Sequence, residues 1–168
     1  THSPTPAAPD ETASYAQDGL TAEFYRGRQD AVSDQAVIIL GGSDGNFKTT
    51  QQFAAAFADH GLNTLALPYY GQPHLPKDLA QIPVETVETA AGWLHRRGFT
   101  RIGIWGISMG AQLALLAASL IPAIGRVAAV SPLDVCVQGL QVSPRKRLLD
   151  CSAFTWRGQD LPYCPLRM

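Results

Sequence analysis

Gly106-Ile107-Ser108-Met109-Gly110 joins the apolar run Ile102-Gly103-Ile104-Trp105 to the Ala/Leu-rich stretch Ala111 to Leu120. The first run has the character of a strand and the second that of a helix, so Ser108 stands at a strand-to-helix corner. The two glycines permit the tight backbone such a corner needs and leave the Ser108 hydroxyl clear of the sheet. The amide of Met109, at the start of the helix, is then placed to donate to a developing oxyanion.

The same alternation continues on both sides of this corner. Leu20 to Tyr25 and Ala36 to Leu40 read as strands. Thr49 or Thr50 is expected to cap a helix that buries Phe53, Ala54 and Phe57 and ends at Gly61, and Asn63 to Leu67 returns as a strand. After the proline-punctuated loop Pro68 to Pro83, Pro83 is expected to open a helix in which Val84, Val87, Ala91 and Leu94 share a face, with Gly98 closing it. Arg101 to Trp105 and Arg126 to Val130 are strands around the helix Ala111 to Leu120. Ser131 to Met168 shows no clear helix or strand. Alternation of this kind predicts the α/β class, a parallel sheet with helices on both faces and ligands at the carboxyl ends of its strands. The turn Gly41-Gly42-Ser43-Asp44-Gly45 and the Ser108 corner both fall at that edge.

With 168 residues, 46% of them apolar, and a net charge of -1, the chain reads as a single globular domain. Residues 1–15 are set apart as a leader or linker and residues 16–168 as the domain. Thr1 to Ser14 is rich in Pro, Ala, Thr and Ser and is expected not to order itself. It fits the mature start of an exported protein, an interdomain linker or an artificial boundary, which leaves the compartment open. Lysine and arginine cluster only at Arg145-Lys146-Arg147, read as a solvated loop, so no nucleic-acid partner is expected. The longest apolar stretch, Leu113 to Ile124, is interrupted by Ser119 and Pro122 and is too short to span a bilayer. Cys136, Cys151 and Cys164 lack the paired spacing of a metal site or redox dithiol and read as free or packed thiols, one disulfide plus one free thiol being the other option. No metal or cofactor is expected.

A serine hydroxyl becomes an effective nucleophile when a base takes its proton and donors meet the oxygen of the tetrahedral intermediate. The chain supplies Ser108 and two donor positions, the amide of Met109 and that of Ser43 or a neighbour in the glycine turn. Asp44 reads as a brace for its own turn. After Ser108 the acids are Asp134, Asp150 and Asp160, and no histidine follows. Asp134, just past the next strand, is the candidate acid. His60 and His95 fall at helix carboxyl ends, where an imidazole suits the helix dipole. His74, in the loop Tyr70 to Pro76, is left as an unorthodox candidate base.

Four stretches carry a family resemblance. They are Gly41 to Gly45; Tyr69-Tyr70-Gly71 with Leu75-Pro76-Lys77-Asp78-Leu79 and Ile82-Pro83; Gly106 to Gly110; and Arg157-Gly158 through Leu161-Pro162-Tyr163. The second is the most specific. Together they span roughly Ala36 to Pro165. The chain resembles the catalytic domain of the acyl-CoA thioester hydrolase and bile-acid-CoA:amino acid N-acyltransferase family, a branch of the α/β-hydrolases. That resemblance implies a serine or cysteine nucleophile that takes an acyl group from an ester or thioester and passes it to water or an amine. Ser108 occupies the nucleophile position, as in the hydrolase members, while Met109 stands where members often carry lysine. Bacterial members of unassigned esterase type fit as well.

The resemblance also implies an acid and a histidine from segments beyond Leu161-Pro162-Tyr163, so an α/β-hydrolase-like domain with its C-terminal third missing is expected. The expected activity is that of a serine hydrolase, of acyl-CoA thioesterase or carboxylesterase type, with an incomplete triad and an acyl ester or acyl-CoA-like substrate. The alternative is a catalytically inactive remnant of the fold that binds a ligand or partner. Missing strands would leave a bare sheet edge, through which self-association is expected.

Overall fold

The computed structural model describes residues 7–28, 34–142 and 146–166. Its organising element is strand β3 (Gln35–Leu40), whose Ile38 and Leu40 join one apolar cluster while Val37 and Ile39 join another. A strand with two apolar faces requires cover on both. Strands β1 (Glu11–Ala13), β2 (Ala22–Tyr25), β4 (Thr64–Ala66), β6 (Arg101–Ile107) and β7 (Ile124–Val130) complete a six-stranded sheet of order β1-β2-β4-β3-β6-β7. Helix α2 (Phe47–Asp59) covers one face, setting Phe53 and Phe57 against Trp105 with ring centroids 5.0 and 5.3 Å apart. Helices α3 (Glu85–Arg96) and α4 (Met109–Leu120) bring Trp93, Leu94 and Leu113 to the other core.

Strands β4, β3, β6 and β7 run parallel, as alternation predicts, but β2 pairs antiparallel with β4 and β1 antiparallel with β2. The sheet is therefore mixed. The short link through α1 (Tyr15–Asp18) is too small for a crossover, so β2 can only return beside β1 in the opposite direction. Glu11–Ala13 lie inside the stretch whose composition reads as unable to order. Ala13 is buried, the Asp10 carboxylate accepts from the Arg26 amide at 2.7 Å, and Arg97, stacked on Trp93, donates to Glu11. These partners lie 16 and 86 residues away, which composition cannot register.

Two helix starts differ from the periodicity reading. Helix α2 opens at Phe47 because Asn46 caps it, accepting from the Lys48 amide at 3.1 Å. Helix α3 opens at Glu85, and Pro83 belongs instead to strand β5 (Ile82–Pro83), which runs parallel to β10 (Phe154–Trp156). A proline fits there because the ladder is carried by the flanking amides of Ile82 and Val84, which donate to Ala153 and Thr155.

The segment after Val130 is also more regular than its sequence suggests. Strands β8 (Gln138–Gln141) and β9 (Arg147–Ser152) pair antiparallel, and β10 forms a small sheet with β5 and β11 (Gln159–Asp160). Strands of two to six residues leave little periodicity to detect.

Among the described residues nothing pairs with the outer edge of β7, and Val127 and Val130 are each 40% exposed. Beside it an apolar groove of about 380 Å³ is lined by Val37, Phe57, Leu62, Trp105, Val127 and Ala128, among others. No described helix is long and apolar enough to cross a membrane, and no described cluster of His, Cys, Asp and Glu could hold a metal ion. The three cysteines are free thiols. Lys146 and Arg147 are exposed, while Arg145 of the basic run lies outside the described residues.

Candidate active site

Because β3 and β6 are neighbours with Leu40 opposite Gly106, the chain leaves both strands at the same level of the carboxyl edge. The strand order also reverses here, since the chain runs outward from β3 to β4 on one side and to β6 and β7 on the other. A crevice opens at such a switch point. Ser108 stands at this edge, exposed, between β6 and α4, with φ 54 and ψ -118. A non-glycine residue held there stores roughly 1–3 kcal/mol of backbone strain, which the surrounding contacts must sustain. Its amide donates to the Val130 carbonyl at 2.9 Å, and its carbonyl accepts from the Ala111 and Gln112 amides at 3.0 and 3.1 Å.

The flanking glycines have steric reasons to be glycines. A β-carbon on Gly110 would lie 2.8 Å from the Leu40 carbonyl oxygen and collide with that of Gly41, and one on Gly106 would lie 2.8 Å from the Ala111 nitrogen. The corner thus packs backbone to backbone against the turn that follows β3. Gly42 completes the approach, since a β-carbon there would stand 3.8 Å from the Ser108 Cβ. The amides of Gly42, Ser43 and Met109 have no hydrogen-bond partner among the described residues. For Met109 this follows from its place as first residue of α4, where an N–H has no acceptor within the helix.

The glycine turn is held from behind. The buried Tyr69 hydroxyl donates to the carbonyls of Gly41 and Gly42 at 2.8 and 3.1 Å, and the Tyr70 hydroxyl donates to Ser43 at 2.6 Å. Burial pushes the Tyr69 phenol far above its ordinary range, with Tyr70 and Asp44 adding to the effect. Burial, and then the Asp44 charge, push Tyr70 up to about 12. Both phenols therefore stay protonated, as donors, at any physiological pH. Asp44 braces the turn, accepting from the Asn46 amide at 3.3 Å and the Thr49 hydroxyl at 3.4 Å.

Asp134 is exposed in the loop after β7, and no histidine pairs with it among the described residues. Buried Gln112, one turn into α4, donates to the Val135 carbonyl and so ties that loop to the helix of Ser108. No described side chain hydrogen-bonds the Ser108 hydroxyl. His74 stacks on Tyr15, centroids 4.5 Å apart, and His60 Nδ1 lies 2.8 Å from the Ala56 carbonyl at the end of α2. Tyr69 and Tyr70 are legible in the sequence only as part of the family signature, and Gln112 not at all. The adjacent aromatic pair was the one available signal.

The sheet order, the sharp serine corner after β6 and the glycine turn beside it decide the architecture. This is an α/β-hydrolase fold. Among solved structures, the α/β hydrolase GrgF from Penicillium sp. sh18 superposes with a TM-score of 0.58 at 20% identity, covering 71% of this chain and 43% of that one. At that identity the likeness speaks for the hydrolase fold. In sequence, the chain is similar to the peroxisomal succinyl-coenzyme A thioesterase of Mus musculus, 38% identical over 71 residues, which is 40% of this chain and 17% of that protein. It is also similar to the mitochondrial acyl-coenzyme A thioesterase 2 of Rattus norvegicus, 33% identical over 107 residues, or 58% of this chain and 23% of that protein. The match thus spans less than a quarter of either relative. No family model matches the chain. Of the resemblance read from the sequence, the sequence relatives support the acyl-CoA thioesterase branch and the solved structure supports the α/β-hydrolase fold.

Proposed function

We propose that this chain carries the nucleophile and oxyanion half of an acyl-transfer site that hydrolyses esters or acyl-CoA-like thioesters. The observation that carries the reading is Ser108 itself, exposed at φ 54 at the head of α4 and abutted by a turn whose Gly42 and Ser43 amides have no partner among the described residues. Attack would form a bond from Ser108 Oγ to the acyl carbon as a base takes the hydroxyl proton. The amides of Met109 and of Ser43 or Gly42 would meet the carbonyl oxygen as it gains charge. Collapse breaks the bond to the thiolate or alkoxide, which leaves with a proton, and water then hydrolyses the acyl-Ser108. The curated relatives, both acyl-CoA thioesterases by name, support the thioester class.

The base is not a described histidine as placed, so it comes from outside the described residues, with Asp134 as the nearby acid that would orient it. The bare Ser108 hydroxyl also supports a second reading, a hydrolase-fold module that binds without turnover. Treating the purified chain with a fluorophosphonate, followed by intact mass and peptide mapping, separates the two. Stoichiometric modification at Ser108 would support the catalytic reading, with the base reaching it from outside the described residues. A folded chain that stays unmodified would refute the catalytic reading in favour of the binding module.

A further inference from the structure

Three consecutive carbonyls of the glycine turn, those of Gly41, Gly42 and Ser43, are taken up by two phenols at 2.8, 3.1 and 2.6 Å. A trans peptide is flat, with its carbonyl and the following N–H on opposite sides. Drawing these carbonyls toward the tyrosines therefore turns the amides of Gly42, Ser43 and Asp44 the other way. None of those amides has a partner among the described residues, and Gly42 is the turn residue that abuts Ser108.

We propose that Tyr69 and Tyr70 are positioning residues, whose hydroxyls grip the glycine turn by its carbonyls and so aim its amides at the oxygen that gains charge when Ser108 is acylated. This rests on the Ser108 reading above. Both side chains are buried, 3% and 5% exposed, and the Tyr69 bond to Gly41 is fully buried, so water does not readily replace a lost Tyr69 hydroxyl there. The fit is close as well. A β-carbon on Gly45, whose φ is 64, would stand 3.0 Å from the Tyr70 oxygen. Without the hydroxyls the turn's peptides are free to rotate, and the donors are lost although no residue that touches substrate has changed.

The test compares the parent chain with Tyr69→Phe, Tyr70→Phe and the double variant. Three quantities are read: the rate of Ser108 phosphonylation, kcat and KM for a short-chain aryl ester, and hydrogen exchange of the peptide covering residues 41–46. Misaiming the oxyanion donors, short of removing them, predicts that phosphonylation and kcat fall about ten- to a hundredfold with KM little changed, and that exchange in 41–46 quickens. A merely structural role would lower thermal stability and leave kcat of the folded protein intact. Folded Phe variants that react as fast as the parent would overturn the proposal while leaving the Ser108 reading in place. A parent chain that fails to react at Ser108 would overturn both. Should the double variant not fold, Tyr70→Phe carries the test alone, since its hydrogen bond is only part-buried.

Discussion

Ser108 couples an exposed hydroxyl to a backbone conformation that only glycine adopts without penalty. Evidence for a functional residue can be sought in that tension. Ser108→Gly removes the proposed nucleophile and also relieves about 1–3 kcal/mol of strain. The variant is expected to melt above the parent while losing all reaction with fluorophosphonate. A melting temperature at or below the parent's would mean the corner is not strained. At this scale the sequence was most legible where chemistry and sterics coincide, as in the two glycines around Ser108, each of which meets backbone. It was least legible at Tyr69 and Tyr70, whose partners lie 27 and 28 residues away.

Among the elements, the long strands and helices were readable from their apolar patterns, whereas their ends depended on single hydrogen bonds. Helix α2 shows the difference, since Thr49 and Thr50 both offer hydroxyls but Asn46 makes the cap. Asn46→Ala is expected to destabilise the fold by roughly 0.5–2 kcal/mol in urea titrations, and Thr49→Ala by clearly less. Equal effects would put the cap where the sequence first suggested it. The Asn46 cap also matters to the site, because it fixes the end of the glycine turn. The short strands β5, β10 and β11 escaped the sequence reading for another reason. Each is stable only through pairing with the others, and Ile82 and Phe154 are distant in the chain.

For the molecule as a whole, the open outer edge of β7 is the feature most exposed to change. Seven residues of strand with one edge unpaired among the described residues, next to an apolar groove, form a template for another strand. We expect the chain to self-associate through this edge. Size-exclusion chromatography with light scattering should give a dimer or larger species, and Val127→Lys should shift it toward monomer by placing a charge on the edge. A parent chain that runs as a clean monomer would contradict this.

The sequence by itself determined the α/β class, the serine corner and the turn beside it, because these follow from local periodicity and from glycines that a tight backbone demands. Tertiary structure alone decided the antiparallel strands at one edge, the small sheet after Val130 and the phenolic grip on the turn. Those depend on which distant groups meet, and pairing across the chain leaves no periodic trace in the residues that take part.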